Sequence, residues 1–197
     1  MTGLRPIVDL TIANFVYLAS DPIINQAARL RYMTGGQFKV PVTYRASMWH
    51  NRANGAQHSD RPYPMFMNVP GLKIVCPATP ADAKGLLKAA IRDDDPVIVF
   101  EDNDLWGMKD EVPLDTDFVV PIGKARLYRE GAHVTLVSYS IGVGIALEAA
   151  ATLAAEGIEA EVLDLRSLRP LDEAAVLASL KKTNRMVVVE EGWPVCS

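Results

Sequence analysis

The sequence predicts an α/β fold made of two doubly wound units, each built on a parallel sheet. Three observations carry the prediction. Short apolar runs alternate with longer segments of helical period, helix start and stop signals separate them, and an acidic, proline-bearing stretch at 101–119 divides the alternation in two. With 197 residues, 49% hydrophobic and 22% charged, the chain has room for one domain or two small ones.

In the first unit, residues 7–10 begin as an apolar strand. Ser20-Asp21-Pro22 offers an N-cap with proline in the first turn, so a helix is expected over 21–32. Ile23, Ala27 and Leu30 recur on it at helical spacing, and Gly35-Gly36 is its stop. Residues 40–44 read as the next strand, and 45–61 as a polar loop without periodicity, of a length more often functional than filler. A short buried strand is expected at 72–76. Thr79-Pro80-Ala81-Asp82 then starts a helix reaching about 92, with the threonine oxygen available to the orphan amides of its first turn. Asp93-Asp94-Asp95-Pro96 ends that helix, and 97–100 is the continuous apolar run expected of a strand covered on both faces.

The second unit repeats the alternation, with strands at 134–139, 160–163 and 186–190 and helices at 141–156 and 172–182. Two consecutive βαβ passages imply a second parallel sheet with right-handed crossovers. Helix 141–156 is apolar almost all round, which predicts cover by the sheet and by another layer or subunit. The expected organisation is a first unit at 1–104, a linker at 105–121 and a second unit at 122–197.

A net charge of −4, with scattered Lys and Arg, leaves no electrostatic footprint for nucleic acid or an anionic membrane. No apolar run approaches the roughly 20 residues needed to cross a bilayer, and no signal-peptide pattern is visible. A bacterial cytoplasmic or organelle-matrix setting is expected. Cys76 and Cys196 lack metal or redox spacing and read as plain thiols.

The candidate site is the polar loop, which holds Asn54-Gly55-Ala56-Gln57-His58-Ser59-Asp60. A titratable ring on a loop of an α/β scaffold is where chemistry is usually placed. By residue type alone, His58 reads either as an acid–base group or as a hydrogen-bonded structural histidine, and His50 and His133 keep the structural reading. Phe15, at helical spacing from apolar neighbours, reads as core, and Trp49 as a pocket wall or an interface anchor. Asp93 to Asp95 alone would be a solvated turn before proline.

Several segments together carry a resemblance. They include Gly3-Leu4-Arg5-Pro6, Ile24-Asn25-Gln26-Ala27-Ala28, Met33-Thr34-Gly35-Gly36, Ala56-Gln57-His58-Ser59, Asp82-Ala83-Lys84-Gly85-Leu86 and Glu191-Gly192-Trp193-Pro194. In order and spacing the chain resembles the beta subunit of the thiamine-diphosphate-dependent 2-oxo acid dehydrogenases, of the pyruvate or acetoin dehydrogenase type, over nearly its whole length. The resemblance implies a transketolase-like pyrimidine-binding domain followed by an incomplete C-terminal transketolase domain. It also implies that His58 is the active-site histidine, that Phe15 lines the aminopyrimidine pocket, and that Val42, Ala90, Ile91, Asp93 and Asp95 hold a monovalent cation such as K⁺.

Implied partners are an alpha subunit, a second beta subunit, a dihydrolipoyl acyltransferase core and a 2-oxo acid substrate. The alpha subunit is expected to hold the Mg²⁺ and the diphosphate, because the Gly-Asp-Gly segment used for that purpose is absent here. The implied activity is oxidative decarboxylation with acyl transfer to lipoyl-lysine. A branched-chain or acetoin enzyme and a non-catalytic scaffold chain are the alternatives. Two departures accompany the match. The loop before Gln57-His58-Ser59 reads Ala46-Ser47-Met48-Trp49-His50-Asn51-Arg52, where the family is glycine-rich. The sequence also starts after the position of the family's cofactor-activating glutamate and stops within the second domain, so a fragment inactive by itself is expected.

Overall fold

Thr43–Met48 (β2) and Val97–Asp102 (β4) lie side by side at the heart of a five-stranded sheet in the computed structural model, which describes residues 3–49, 54–193 and 195. Ile7–Ile12 (β1) flanks β2, Lys73–Val75 (β3) flanks β4, and these four strands run parallel. Every residue of β4 but Glu101 is buried, as its unbroken apolar run requires of a strand with neighbours on both edges.

The helix expected over 21–32 is present as a π-helical stretch, Pro22–Ala27, running directly into α1 (Ala28–Met33). Gly35 and Gly36 stop it with φ of 60° and 81°, and the Gly36 amide donates to Arg31 O at 2.8 Å. Tyr63–Met67 (α2) is a single turn that the sequence reading did not separate. Pro80–Arg92 (α3) starts as expected: Thr79 Oγ1 accepts the Asp82 amide at 3.1 Å, with Pro80 in the first turn.

The polar loop begins later than expected. Residues 45–48 belong to β2, because their polar side chains find partners on the adjacent strands. Arg45 makes a bidentate pair with Glu101, at 2.9 and 2.7 Å, and Ser47 Oγ donates to Thr11 O at 2.6 Å. Thr43-Tyr44-Arg45-Ala46-Ser47-Met48 keeps the polar/apolar alternation of a strand, its polar members taken up by the neighbouring strands.

The second sheet has the order β5-β7-β6-β9, from Arg126–Arg129 (β5), Val134–Ser138 (β6), Ala160–Asp164 (β7) and Met186–Val188 (β9). Gly142–Ala155 (α4) lays Val143, Ala146 and Ala150 in the interior, while Ile145 on another face is exposed. Glu173–Thr183 (α5) is capped by Asp172.

Both sheets are mixed at one edge. β5 is antiparallel to β7, and Ser167–Arg169 (β8) leaves the second unit to pair antiparallel with β3 as the fifth strand of the first sheet. Neither short strand, each rich in arginine or serine, carried a periodic signal. The segment between the sheets also packs: Val120 lies against α3, where a Cβ on Gly85 would come within 2.5 Å of the Val120 side chain. No helix is long and apolar enough to cross a membrane among the described residues. His50, Asn51, Arg52, Pro194 and Cys196 lie outside the described residues.

Candidate active site

Parallel strands bring their carboxyl ends to one edge of a sheet, where ligands of open α/β folds collect. β1 runs at that edge into a 3-10 turn, Ala13–Tyr17, and β2 runs into the loop bearing His58. Ala13, Asn14 and Val16 of the turn point into the core, so Phe15 must point away from it, and it is 45% exposed.

The loop closes as a turn on Gly55, whose φ of 71° suits glycine. Gly55 O accepts the His58 amide at 3.3 Å and Ser59 Oγ at 2.8 Å, and Ser59 Oγ accepts the Asn54 amide at 3.0 Å. This presents the imidazole to Phe15, with ring centroids 5.4 Å apart and planes at 75°, an edge-to-face pair. The structure thus brings together the two site residues that the sequence set 43 positions apart (58 − 15).

Further residues at this edge were not named from the sequence. Asn14 and Tyr17, on either side of Phe15, both donate to the Asp60 carboxylate, at 2.8 and 3.0 Å. Burial, and then Asp60, push the Tyr17 phenol up to about 12. Arg61 reaches Asp102 at the end of β4, at 3.3 Å, and Glu191 of the second unit. The Tyr63 and Tyr139 hydroxyls meet each other and Glu190, and burial pushes both phenols above their ordinary value. Proximity to His58 in sequence was the available signal for Asp60 and Arg61; periodicity carries none for bonds between elements.

Val42, Ala90, Ile91, Asp93 and Asp95 gather where α3 ends, with their oxygens turned to groups of this chain. Arg5 Nη1 donates to Ile91 O at 3.2 Å and Asp93 O at 2.7 Å. Lys73 Nζ bonds both Asp93 carboxylate oxygens at 2.7 Å, and Arg31 pairs with Asp95 at 2.5 Å. The Val42 and Ala90 carbonyls accept backbone amides of Val97 and Asp93, at 3.0 and 3.2 Å. Among the described residues no group of three or more His, Cys, Asp or Glu is placed to hold a metal ion.

Trp49 is partly buried, and its indole N–H finds no acceptor among the described residues. His133 is structural, its Nδ1 accepting the Glu159 amide at 2.8 Å. Cys76 is a free, buried thiol that burial pushes up, as an inert core cysteine should be. The larger concavities lie elsewhere. One of about 380 Å³ is lined by Arg45, Thr79, Glu101 and Trp106, and one of about 990 Å³ lies between α1 and Pro70-Gly71. Phe15 and His58 line neither; Phe15 is exposed and His58 partly buried.

Residues 1–107 match the transketolase pyrimidine-binding domain. The chain belongs to the transketolase pyrimidine-binding family. Residues 123–197 match the transketolase C-terminal domain, and the pair of domains implies dependence on thiamine diphosphate. The chain is 52% identical over 197 residues to the pyruvate dehydrogenase E1 component subunit beta of Rhizobium meliloti, covering 100% of this chain and 43% of that one. It is 52% identical to the acetoin:2,6-dichlorophenolindophenol oxidoreductase subunit beta of Bacillus subtilis, covering 100% of this chain and 57% of that one. It is 50% identical to the mitochondrial pyruvate dehydrogenase E1 component subunit beta-1 of Arabidopsis thaliana, over 98% of this chain and 54% of that one. The chain spans about half the length of the curated relatives it matches. Among solved structures, a split-gene transketolase described as an inactive beta4 tetramer superposes with a TM-score of 0.80 at 28% identity, over 96% of this chain and 58% of that one. These relatives are described as beta subunits, and that structural neighbour as a tetramer.

Proposed function

We propose that this chain is a beta-type subunit of a thiamine-dependent 2-oxo acid dehydrogenase, furnishing the pyrimidine side of a coenzyme site that a second polypeptide completes. The observation that carries the reading is the Phe15–His58 pair at the carboxyl ends of two parallel strands, with Phe15 exposed. An exposed aromatic face, on a turn whose other side is buried, suits a flat heteroaromatic ring. Thiamine diphosphate, when bound, supplies the electron sink for loss of CO₂ from a 2-oxo acid.

The chain's own residues bind and move protons. Phe15 would hold the aminopyrimidine ring and shield it from water. His58 sits at the rim, where an imidazole can give or take a proton as the acyl group passes to a lipoyl-lysine acceptor. The diphosphate and its Mg²⁺ fall to an alpha subunit, and a second beta subunit and a dihydrolipoyl acyltransferase core complete the assembly. K⁺ at Val42, Ala90, Ile91, Asp93 and Asp95 remains part of the reading. Because Arg5 and Lys73 already neutralise those oxygens, it is expected to bind weakly.

Pyruvate is the substrate this reading assigns, and acetoin is the second, on the strength of the equal identity to an acetoin-oxidising relative. The test is to express the whole reading frame that holds this sequence, to mix it with an alpha subunit of a pyruvate dehydrogenase and to follow turnover of pyruvate, acetoin and 2-oxoisovalerate. Pyruvate-dependent turnover that neither chain shows alone is expected. Turnover by this chain without the alpha subunit, or none by the mixture, would contradict the proposal.

A further inference from the structure

The edge-to-face contact between Phe15 and His58 does not hold itself. The attraction within one aromatic pair is smaller than the conformational entropy lost in ordering a polar loop of several residues. The imidazole nitrogens make no hydrogen bond to the described residues, so the ring's direction follows from where the backbone is pinned. On the upstream side the pin is the Gly55 turn; on the downstream side it is Asp60, two residues past His58.

Among the described residues Asp60 makes three bonds, all to the 3-10 turn that carries Phe15. Its carboxylate Oδ2 accepts Asn14 Nδ2 at 2.8 Å and the Tyr17 hydroxyl at 3.0 Å, and its amide donates to Asn14 Oδ1 at 3.2 Å. The Asn14 side chain thus reads both an acceptor and a donor of one loop residue, and only a carboxylate or an amide at position 60 reproduces that pairing. Asn14 is buried, so losing its partner leaves a desolvated amide unsatisfied, which gives the contact its hold. The bonded residues bracket Phe15, so one carboxylate fixes the turn and the loop as a single unit.

We propose that Asp60 is the positioning residue of this site: clamped by Asn14 and Tyr17, it holds the His58 imidazole edge-on to Phe15. It touches neither substrate nor coenzyme, and its role reaches the reaction through the placement of His58. The inference rests on the functional reading for the importance of that placement and on geometry alone for the clamp.

The test uses the NMR signals of the His58 ring carbons and protons in the purified chain. The ring-current shift contributed by Phe15 is defined by the difference between the native chain and Phe15→Ala. Asp60→Ala is expected to remove most of that shift, Tyr17→Phe to remove part of it, and Asp60→Asn, which keeps an acceptor and the backbone donor, to restore most of it. Should Asp60→Ala fail to fold, Tyr17→Phe and Asp60→Asn still rank the clamp, the first losing more of the shift than the second. In the whole reading frame mixed with an alpha subunit, Asp60→Ala is expected to lower kcat about tenfold with KM for the 2-oxo acid unchanged, one decade being about 1.4 kcal/mol. A ring-current shift that stays native in Asp60→Ala, or in Tyr17→Phe where Asp60→Ala does not fold, overturns the clamp, whatever the activity. A shift lost as expected while Phe15→Ala and His58→Ala leave turnover unaltered would sink the functional reading and leave the clamp standing.

Discussion

At the site, Phe15 is 45% exposed and three hydrogen bonds to Asp60 tie one turn to one loop. At the seam between the two units, Asp82, Asp102 and Asp164 are buried, and arginines Arg61 and Arg166 are drawn in against them. The site keeps apolar and titratable surface open at the cost of few constraints. The seam encloses charge, and the enclosure makes one body of two sheets, since the Arg166 carbonyl also accepts the Cys76 amide at 2.7 Å and β8 completes the first sheet. The contrast separates residues that a binding partner needs from residues that the fold needs. Changes at the first should spare stability, and changes at the second should spend it.

The largest expected effect is on activity. His58→Ala in the mixed complex should lower turnover about 100-fold or more, the usual reach of one positioned acid–base group, while the melting temperature stays near native. A proportional fall in both would erase the distinction between site and seam. Next comes Arg61→Ala, which takes from the buried Asp102 the guanidinium that also reaches Glu191. Loss of one partner of a buried pair costs about 3 kcal/mol, read as a lower midpoint in urea unfolding. An unchanged midpoint would show that the seam does not depend on this charge.

A graded effect of pH sharpens the comparison. Burial pushes the Asp164 carboxyl up, the Arg166 amide opposes it, Asp82 adds to the rise and the Arg166 and Arg126 charges oppose it, and the net is about 7. A carboxyl whose folded value exceeds its unfolded one takes up a proton on folding. Its contribution is therefore whole below about pH 4 and is lost as pH rises through 7. Stability should fall over that window, and Asp164→Asn should flatten the fall; a profile identical in the two chains would refute the assignment. The smallest effect is at the start of α3, where Thr79→Ala removes the cap on the Asp82 amide and should cost about 1 kcal/mol, with His58 signals unmoved.

What could be read in the sequence followed from how locally each feature is encoded. Thr79-Pro80 and the apolar run of β4 announce themselves within a few residues, and both stand as expected. The second half of β2 is legible as an alternation, Arg45-Ala46-Ser47-Met48, although the sequence reading assigns it to the start of the polar loop; only the structure shows that Arg45 and Ser47 are taken up by Glu101 and Thr11 of other strands. β8 was invisible: three residues pair across units, and nothing in their order says with which sheet. At the site, His58 stands out as a titratable ring on a polar loop and receives its role from the resemblance, while the pocket role of Phe15 comes from the resemblance alone. Asp60 stood beside His58 in the sequence, but its partners Asn14 and Tyr17 are 46 and 43 positions away and become visible only in three dimensions.

The central claim is that Phe15 and His58 form one half of a coenzyme site that another polypeptide closes. Calorimetric titration of thiamine diphosphate with Mg²⁺, into the product of the whole reading frame alone and into that product with an alpha subunit, tests it most directly. The account predicts binding only when both chains are present, weakened by Phe15→Ala. Equal binding to the chain alone, or binding by the pair that Phe15→Ala leaves untouched, would contradict it.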